Sequence, residues 1–376
     1  MPFTFVHTAD WQLGKRFGAF PAEKAAVLRE ERLRAVDRVA EAATAAGAND
    51  VLVAGDVFDS ETASDQLAGK LLARLKAHAK LAWHLLPGNH DPARAGGVWE
   101  AIAAGGTPAN VHLHVEPVRA ELAPGVVLLP APLTAKSTSR DPTGWMDEAE
   151  TPDGTLRIGL AHGSVQGFGT QGDANVPIDP ARPKSAGLAY LALGDWHGTT
   201  RISDRVWYSG TPEPDSFPDN EPGHALIVRI DGADAVPSVA RVPTAHFTWS
   251  RRRLLVKGAA GLAEIEFEVG ALGSAAVRSL IDLHLEGHVT LSEFAAIEER
   301  LGALGTQLFD LRTDLGGLHA EAGVADLDTL ESGMLATVAE RLKGIAAGSG
   351  PEALAGERAL RLLFALARRA EAGGRT

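Results

Sequence analysis

The sequence of 376 residues contains no cysteine, which excludes disulfide bonds, thiolate metal ligands and thiol nucleophiles. It also lacks a membrane-spanning run, because the longest uncharged apolar stretch, between Glu121 and Lys136, contains three prolines and is well short of the roughly 20 residues that a spanning helix needs. The first residues have no basic start and no apolar core, so we expect no signal peptide and a cytoplasmic location. Basic residues are the minority, 36 against 48 acidic ones, giving a formal charge of −12. Binding of nucleic acid through overall charge alone is therefore not expected.

The chain does have enough apolar residues for two domains, or for one large domain with an appendage. Hydrophobic residues make up 45% of the sequence, and a domain typically takes about 100–200 residues. An apolar run at Phe3–Thr8 is followed by a helical pattern over Ala22–Ala46, which stops at Gly47, and by a second apolar run at Val51–Ala54. This order predicts strand, helix and parallel strand.

The rest of the chain changes texture twice. Short strands are predicted between residues 110 and 245, and a small α+β domain is predicted after Thr244, with strands at Ser279–Glu286 and Thr306–Arg312 around a helix at Leu291–Leu304. Two helices are predicted in the tail, one of them starting at Pro351. Either they pack on their own domain, or one presents an apolar face to a partner. The apolar positions of the first tail helix are Leu327, Leu330, Met334, Val338 and Leu342.

Five loops concentrate Asp, Asn, His and Gly, and nearly all of them directly follow a predicted strand. Oxygen and imidazole ligands without sulfur suit Mn²⁺, Mg²⁺, Fe²⁺ or Zn²⁺. Ligands of open α/β sheets collect at the carboxyl ends of strands, which predicts a metal site where these loops meet. The loops are Asp10–Gly14, Gly55–Asp59, Gly88–Asp91, His162–Gly163 and Gly194–Gly198.

In this order the five loops resemble the calcineurin-like metallophosphoesterase superfamily, over about residues 1–245. Three segments, HTADWQLGK, VLVAGDVFDS and WYSGTPEPDSF, more narrowly resemble DNA repair exonucleases of the SbcD/YhaO type. The resemblance implies a four-layer α/β/β/α sandwich, followed by a small α+β capping domain and C-terminal helices. The expected domains are a nuclease domain at 1–245, the cap at 246–320 and a helical, partner-binding segment at 321–376.

The resemblance also implies two divalent ions, with Mn²⁺ as the first choice and Mg²⁺ as the second. His90 matches the catalytic histidine beside the scissile phosphate, and Asp91 matches the carboxylate that orients it. Lys15 and Arg16 are candidates for phosphate contacts, and Asp59 is interpreted as stabilising its own loop. The matching ligands are Asp10, Asp56 and His197 for the first ion, with Asp56 shared, and Asn89 and His162 for the second.

Two positions depart from the family's pattern. Gln12 stands where the family usually has histidine, and Asp195 stands where the last block usually has its first histidine. Both residues keep a ligand atom. We therefore interpret them as metal ligands of an active site with an altered donor set, and not as signs of an inactive site. Replacing nitrogen by oxygen should favour Mn²⁺ or Mg²⁺ over Zn²⁺.

These matches predict a two-metal DNA exonuclease or endonuclease, in which the ions lower the pKa of a bridging water and hold the resulting hydroxide in line with phosphorus. The resemblance implies a role in DNA repair with an SMC-like ATPase docked on the C-terminal helices, and a homodimer through the helix at residues 22–46. Two alternatives stay open: a phosphodiesterase or phosphatase for a small molecule or nucleotide, and a non-catalytic DNA-end-binding subunit.

Overall fold

The computed structural model describes residues 2–168, 175–217, 220–321 and 334–373. These form two compact units that divide between His246 and Phe247. The part of the predicted tail helix that contains Leu327 and Leu330 lies outside the described residues. No helix among the described residues is both long and apolar enough to cross a membrane.

The first unit contains two six-stranded sheets, one two-stranded sheet and four helices within its described residues. The helices are α1 Ala22–Ala45, α2 Asp65–Ala77, α3 Val98–Gly105 and the one-turn α4 Arg182–Ser185. The strands are β1 Phe3–Thr8, β2 Asp50–Val53, β3 Ala82–Leu85, β4 Val111–Leu113, β5 Ala120–Ala123, β6 Val126–Ala131, β7 Leu156–His162, β8 Ser164–Val165, β9 Pro177–Ile178, β10 Tyr190–Gly194, β11 Thr200–Arg201, β12 Val206–Tyr208, β13 His224–Ile230 and β14 Ser238–Pro243.

The two large sheets face each other, with strand orders β14-β13-β1-β2-β3-β4 and β11-β12-β10-β7-β6-β5. Alternate residues of a strand enter different cores, as a period of two requires. Phe5 and Tyr190 pack between the sheets, with ring centroids 5.6 Å apart. Val6 instead packs in the core that α1, α2 and α3 share with the first sheet, and Leu191 in the core beside α4. The four-layer α/β/β/α sandwich expected from the sequence is confirmed.

Parallel pairing brings the candidate loops to the same edges of the sheets. Strands β1, β2 and β3 are parallel neighbours in one sheet, and β7 and β10 are parallel neighbours in the other. The predicted order of strand, helix and parallel strand at the start is therefore confirmed, with α1 ending one residue earlier than expected. Because parallel strands end at a common edge, all five polar loops follow strands that end on the same side.

The second unit is built on a three-stranded parallel sheet. Its strands are β15 Thr248–Lys257, β16 Ser279–Thr290 and β17 Asp310–Glu321, and its helices are α5 Ala263–Leu272, α6 Leu291–Gly305, α7 Met334–Ala346 and α8 Pro351–Gly373. Helices α5 and α6 provide the crossovers that parallel strands need. Ala339 of α7 and Phe364 of α8 belong to the same buried core as Ile297 of α6.

Strand bounds in this unit differ from the sequence prediction. The strand expected at Thr306–Arg312 begins only at Asp310, because the Gln307 amide donates to Leu304 O and continues the turn that ends α6. β16 runs past Glu286 to Thr290, whose side chain then caps α6 in a reciprocal pair with Glu293.

Candidate metal centre

Asp10, Asp56 and His162 lie together at the edge where β1, β2 and β7 end. One ligand atom from each lies within 4.8 Å of the others, and all three residues are buried. Two are carboxylates and one is an imidazole, a donor set typical of divalent metal sites.

Tight loop geometry brings these side chains together. Asp10 and Asp56 have φ of 54° and 53°, in the left-handed region that few residues other than glycine adopt. The Asp10 amide donates to Gly55 O at 3.1 Å, which ties the first loop to the second. Gly55 itself has φ of +88°, and a Cβ there would lie 2.3 Å from His162 Nδ1. Glycine is therefore required for His162 to approach the two carboxylates.

Arg32 of α1 holds the loops of the centre through hydrogen bonds to their backbone, and it was not predicted from the sequence. Its guanidinium is buried and donates to the carbonyl oxygens of Asp10 at 2.9 Å and Glu213 at 2.7 Å. A third bond reaches Trp11 O at 2.9 Å. The available signal was an arginine four residues from Leu28 on the apolar face of α1, where a charged side chain needs buried partners.

On one side of the centre, acceptor atoms face acceptor atoms. His162 Nδ1 lies 2.9 Å from Ala54 O, and because a carbonyl oxygen only accepts, Nδ1 carries the hydrogen. Its Nε2 then faces Asn89 Oδ1 at 3.3 Å, Asp56 Oδ1 at 3.5 Å and Asp195 Oδ1 at 3.9 Å. With Asn89 presenting its oxygen, a proton on Nε2 or a cation among these atoms satisfies them together. We name Asp10, Asp56, Asn89, His162 and Asp195 the His162 side.

The pKa values show the same surplus of negative charge. Burial raises the pKa of Asp10 to about 6, with Asp56 and Asp195 adding to the effect and two histidines opposing it. Burial disfavours protonation of His162, but the charges of Asp56, Asp10 and Asp195 outweigh it and raise the pKa of His162 to about 9. A divalent cation would supply the missing positive charge, so the residues present fit one.

On the other side, donors already meet acceptors. Gln12 Nε2 lies 3.1 Å from His197 Nε2 and 3.4 Å from Asp56 Oδ2. Lys15 Nζ lies 3.3 Å from Gln12 Oε1 and 2.7 Å from Asp215 Oδ2, and Asp215 Oδ1 lies 3.3 Å from His197 Nδ1. Burial alone would raise the pKa of Asp215, but its hydrogen bond to His197 and the nearby cations lower it. We name Gln12, Lys15, His197 and Asp215 the Gln12 side.

The predicted pair of His90 and Asp91 is arranged differently from the expectation. Both oxygens of the buried Asp91 carboxylate accept backbone amides, from Gly88 at 2.7 Å and Phe58 at 2.9 Å. The His90 ring, with its side chain 47% exposed, instead places Nδ1 3.1 Å from Asp59 O. Among the described residues, Asp91 thus joins two loops, and the backbone of Asp59 orients His90. The sequence shows only that Asp91 follows His90. It does not show that backbone amides donate to both oxygens of the Asp91 carboxylate.

The remaining predicted residues lie around the centre. The Asp195 amide donates to the Asp10 carboxylate at 3.2 Å, and Asp195 Oδ2 accepts from Ser164 Oγ at 2.6 Å. Arg16 is exposed, and its carbonyl accepts from Arg29. Asp215 was not predicted as a site residue, although it is a carboxylate within WYSGTPEPDSF, one of the three segments singled out in the sequence.

Comparison with known proteins agrees with this geometry. The sequence profile of the calcineurin-like phosphoesterases matches residues 3–229. The chain belongs to this family, which makes it a metal-dependent phosphoester hydrolase.

Two solved structures match the chain at low identity. The chain is 11% identical to TT1561 of Thermus thermophilus, over 65% of this chain and 100% of that one, with a TM-score of 0.40. A second crystal structure is also 11% identical, over 64% of this chain and 99% of that one, with a TM-score of 0.40. No curated protein sequence matches the chain.

Proposed function

We propose that the chain is a DNA exonuclease or endonuclease that hydrolyses phosphodiester bonds at this centre. The observation that carries the proposal is the buried cluster of Asp10, Asp56 and His162 beside the half-exposed ring of His90. The cluster would hold a divalent ion, while His90 is open to a substrate.

The His162 side supplies the ligands. Asp10, Asp56 and His162 would hold the ion, with Asn89 and Asp195 as further oxygen donors. A bound divalent ion neutralises charge on the phosphate and lowers the pKa of water. The oxygen-rich donor set favours Mn²⁺ first and Mg²⁺ second.

His90 is suited to move a proton. Its Nδ1 is fixed by the carbonyl of Asp59, and its Nε2 lies 4.0 Å from Asp56 Oδ2 on the open side of the cluster. A protonated Nε2 there would donate to the leaving oxygen, the role of a general acid. Asp91 contributes indirectly, by holding the Gly88 and Phe58 amides on which both loops depend.

The preference for DNA rests on the segments that resemble repair exonucleases, because these segments build the site. HTADWQLGK supplies Asp10, Gln12 and Lys15, and WYSGTPEPDSF supplies Asp215, which contacts both Lys15 and His197. A formal charge of −12 favours the second candidate, a phosphodiesterase for a small molecule or nucleotide.

An SMC-like ATPase is the partner that we propose for the C-terminal helices. α7 and α8 bury one face in their own core and leave several large apolar side chains about half exposed, which supports a partner helix. The exposed side chains are Leu335, Val338, Ile345, Leu354, Leu362 and Leu366. α1, proposed for a homodimer, exposes one large apolar side chain, Val27, among the residues that the structure describes.

The test is cleavage of end-labelled linear DNA by protein stripped of metal and reloaded with Mn²⁺, alongside bis-p-nitrophenyl phosphate. His90→Ala is the matched control, because it keeps the candidate ligands. DNA degradation that needs both Mn²⁺ and His90 is the expected result. Hydrolysis of the small diester without cleavage of DNA would favour the second candidate, and DNA binding without hydrolysis of either substrate would indicate an end-binding subunit.

A further inference from the structure

The orientation of the Gln12 amide follows from its neighbour Lys15. Lys15 Nζ lies 3.3 Å from Gln12 Oε1. An ammonium group has three donors and no acceptor, so the amide must turn its oxygen toward Lys15. The Lys15 side chain is 29% exposed and bonded to Asp215 at 2.7 Å, so it is held in place.

The amide nitrogen consequently points into the centre. It donates toward Asp56 Oδ2 at 3.4 Å and His197 Nε2 at 3.1 Å. His197 fits this arrangement in its neutral form, in which Nδ1 donates to Asp215 at 3.3 Å and Nε2 is left as an acceptor. Each hydrogen-bonding atom along this chain of contacts therefore has a partner of the opposite kind.

A cation between Gln12 and His197 would disturb this arrangement. An NH₂ group does not bind a cation, so the amide would have to rotate and present its oxygen. That rotation would place the NH₂ group against the Lys15 ammonium, donor facing donor. It would also bring a divalent charge close to a fixed positive charge, which opposes binding.

We infer that the chain holds one divalent ion, on the His162 side, and that Gln12 and Lys15 take the place of a second. The expected second ion thus does not fit the Gln12 side as it stands. The Lys15 ammonium provides positive charge beside the centre without a second metal. This inference concerns the same centre as the proposed function, but it is tested by counting ions and not by activity.

The experiment is to measure bound Mn²⁺ per chain by mass spectrometry of the metal and by titration calorimetry. Wild type should bind one ion tightly. Lys15→Met frees the amide to rotate, and Gln12→His supplies an imidazole, so each variant should bind two. Arg16→Met removes a neighbouring exposed charge without touching the amide and should stay at one.

Two results would overturn the inference. One is a wild type that binds two ions with similar affinity, and the other is a folded Gln12→His variant that still binds one. Circular dichroism of each variant establishes that it is folded. One bound ion without DNA cleavage would refute the proposed function and leave this inference standing, whereas two bound ions with DNA cleavage would do the reverse.

Discussion

The two sides of the metal centre differ in what their polar atoms face. On the His162 side, a ring nitrogen of His162 faces the amide oxygen of Asn89 and the carboxylate oxygens of Asp56 and Asp195. None of these oxygens can donate a hydrogen bond. On the Gln12 side, with His197 neutral, every contact pairs a donor with an acceptor. The first arrangement needs a cation or a proton on His162, and the second needs neither. Ligand-type residues in neighbouring loops therefore do not by themselves indicate a metal, because their hydrogen bonds decide it.

The largest effect should come from Asp56→Asn, which removes charge from the His162 side with little change in shape. Asp56 Oδ1 accepts the His90 amide at 2.9 Å and faces His162. Residues that only hydrogen-bond to a metal ligand contribute about 10–100-fold to metal affinity. Asp56 would be a ligand itself, so we expect Mn²⁺ affinity to fall by more than about 100-fold. Titration calorimetry measures this loss. Unchanged affinity would show that the ion does not bind on the His162 side.

His90→Ala should separate chemistry from metal binding. His90 is oriented by the backbone of Asp59, and its ring lies outside the cluster of ligand atoms. We expect turnover to fall by about 10²–10⁴-fold, the usual contribution of a general acid, with the bound Mn²⁺ unchanged. Steady-state kinetics and metal analysis on the same sample check both statements, and a parallel loss of metal would contradict them.

Arg32→Met should destabilise the loops that carry both sides of the centre. Arg32 bonds the backbone of Asp10, on the His162 side, and of Glu213, two residues before Asp215 of the Gln12 side. The change leaves buried carbonyl oxygens without a donor, at a cost of about 3 kcal/mol in the free energy of unfolding. Denaturant unfolding measures it. Arg34→Met, on an exposed position of the same helix, is the control. Equal stabilities of the two variants would show that Arg32 does not hold the loops.

The stability of metal-free protein should fall as pH rises, because of the His162 side. The pKa of His162 is about 9 in the folded state against 6.5 in the unfolded one, so its stabilisation is complete below pH 6.5 and is lost as pH rises toward 9. The loss is about 3 kcal/mol. The raised pKa of Asp10, about 6, acts in the same direction between pH 4 and 6.

Thermal unfolding at pH 6 and pH 9 tests this, with and without Mn²⁺. A bound ion takes the place of the proton and should flatten the profile, since ligands bind metal in deprotonated form. His162→Gln should flatten it as well. A metal-free wild type that is more stable at pH 9 than at pH 6 would contradict the assignment.

The smallest effect should come from Arg16→Ala. Arg16 is exposed, and no hydrogen bond or ion pair among the described residues ties its side chain to either side of the centre. We expect KM for DNA to change less than about fivefold, as for an exposed charge worth at most about 1 kcal/mol. A larger change than for Lys15→Met would make Arg16 the main phosphate contact.

Much of the fold was predictable because its signals are local. β1 has the predicted bounds, Phe3–Thr8, and α1 ends within one residue of the prediction, since an apolar run and a glycine stop depend on neighbouring residues. The ligand-type residues were predictable because they follow strands. Their partners were not, because Arg32 lies 22 positions from Asp10 along the chain and Asp215 lies 18 positions from His197.

The roles of two predicted residues show the same limit. Gln12 was predicted to bind a metal through its amide oxygen, and its orientation depends on Lys15 three residues later, whose own position is set by Asp215. Asp91 was predicted to orient His90, and its carboxylate instead bonds the backbone of two loops. Residue type predicts that a polar atom has a partner, whereas tertiary structure decides which one.

The most direct test is anomalous diffraction from crystals soaked in Mn²⁺, because it locates each ion among its ligands. We expect one strong peak among Asp10, Asp56 and His162, with Lys15 still bonded to the Gln12 amide oxygen. A second peak of similar height between Gln12 and His197, or no peak beside His162, would contradict it.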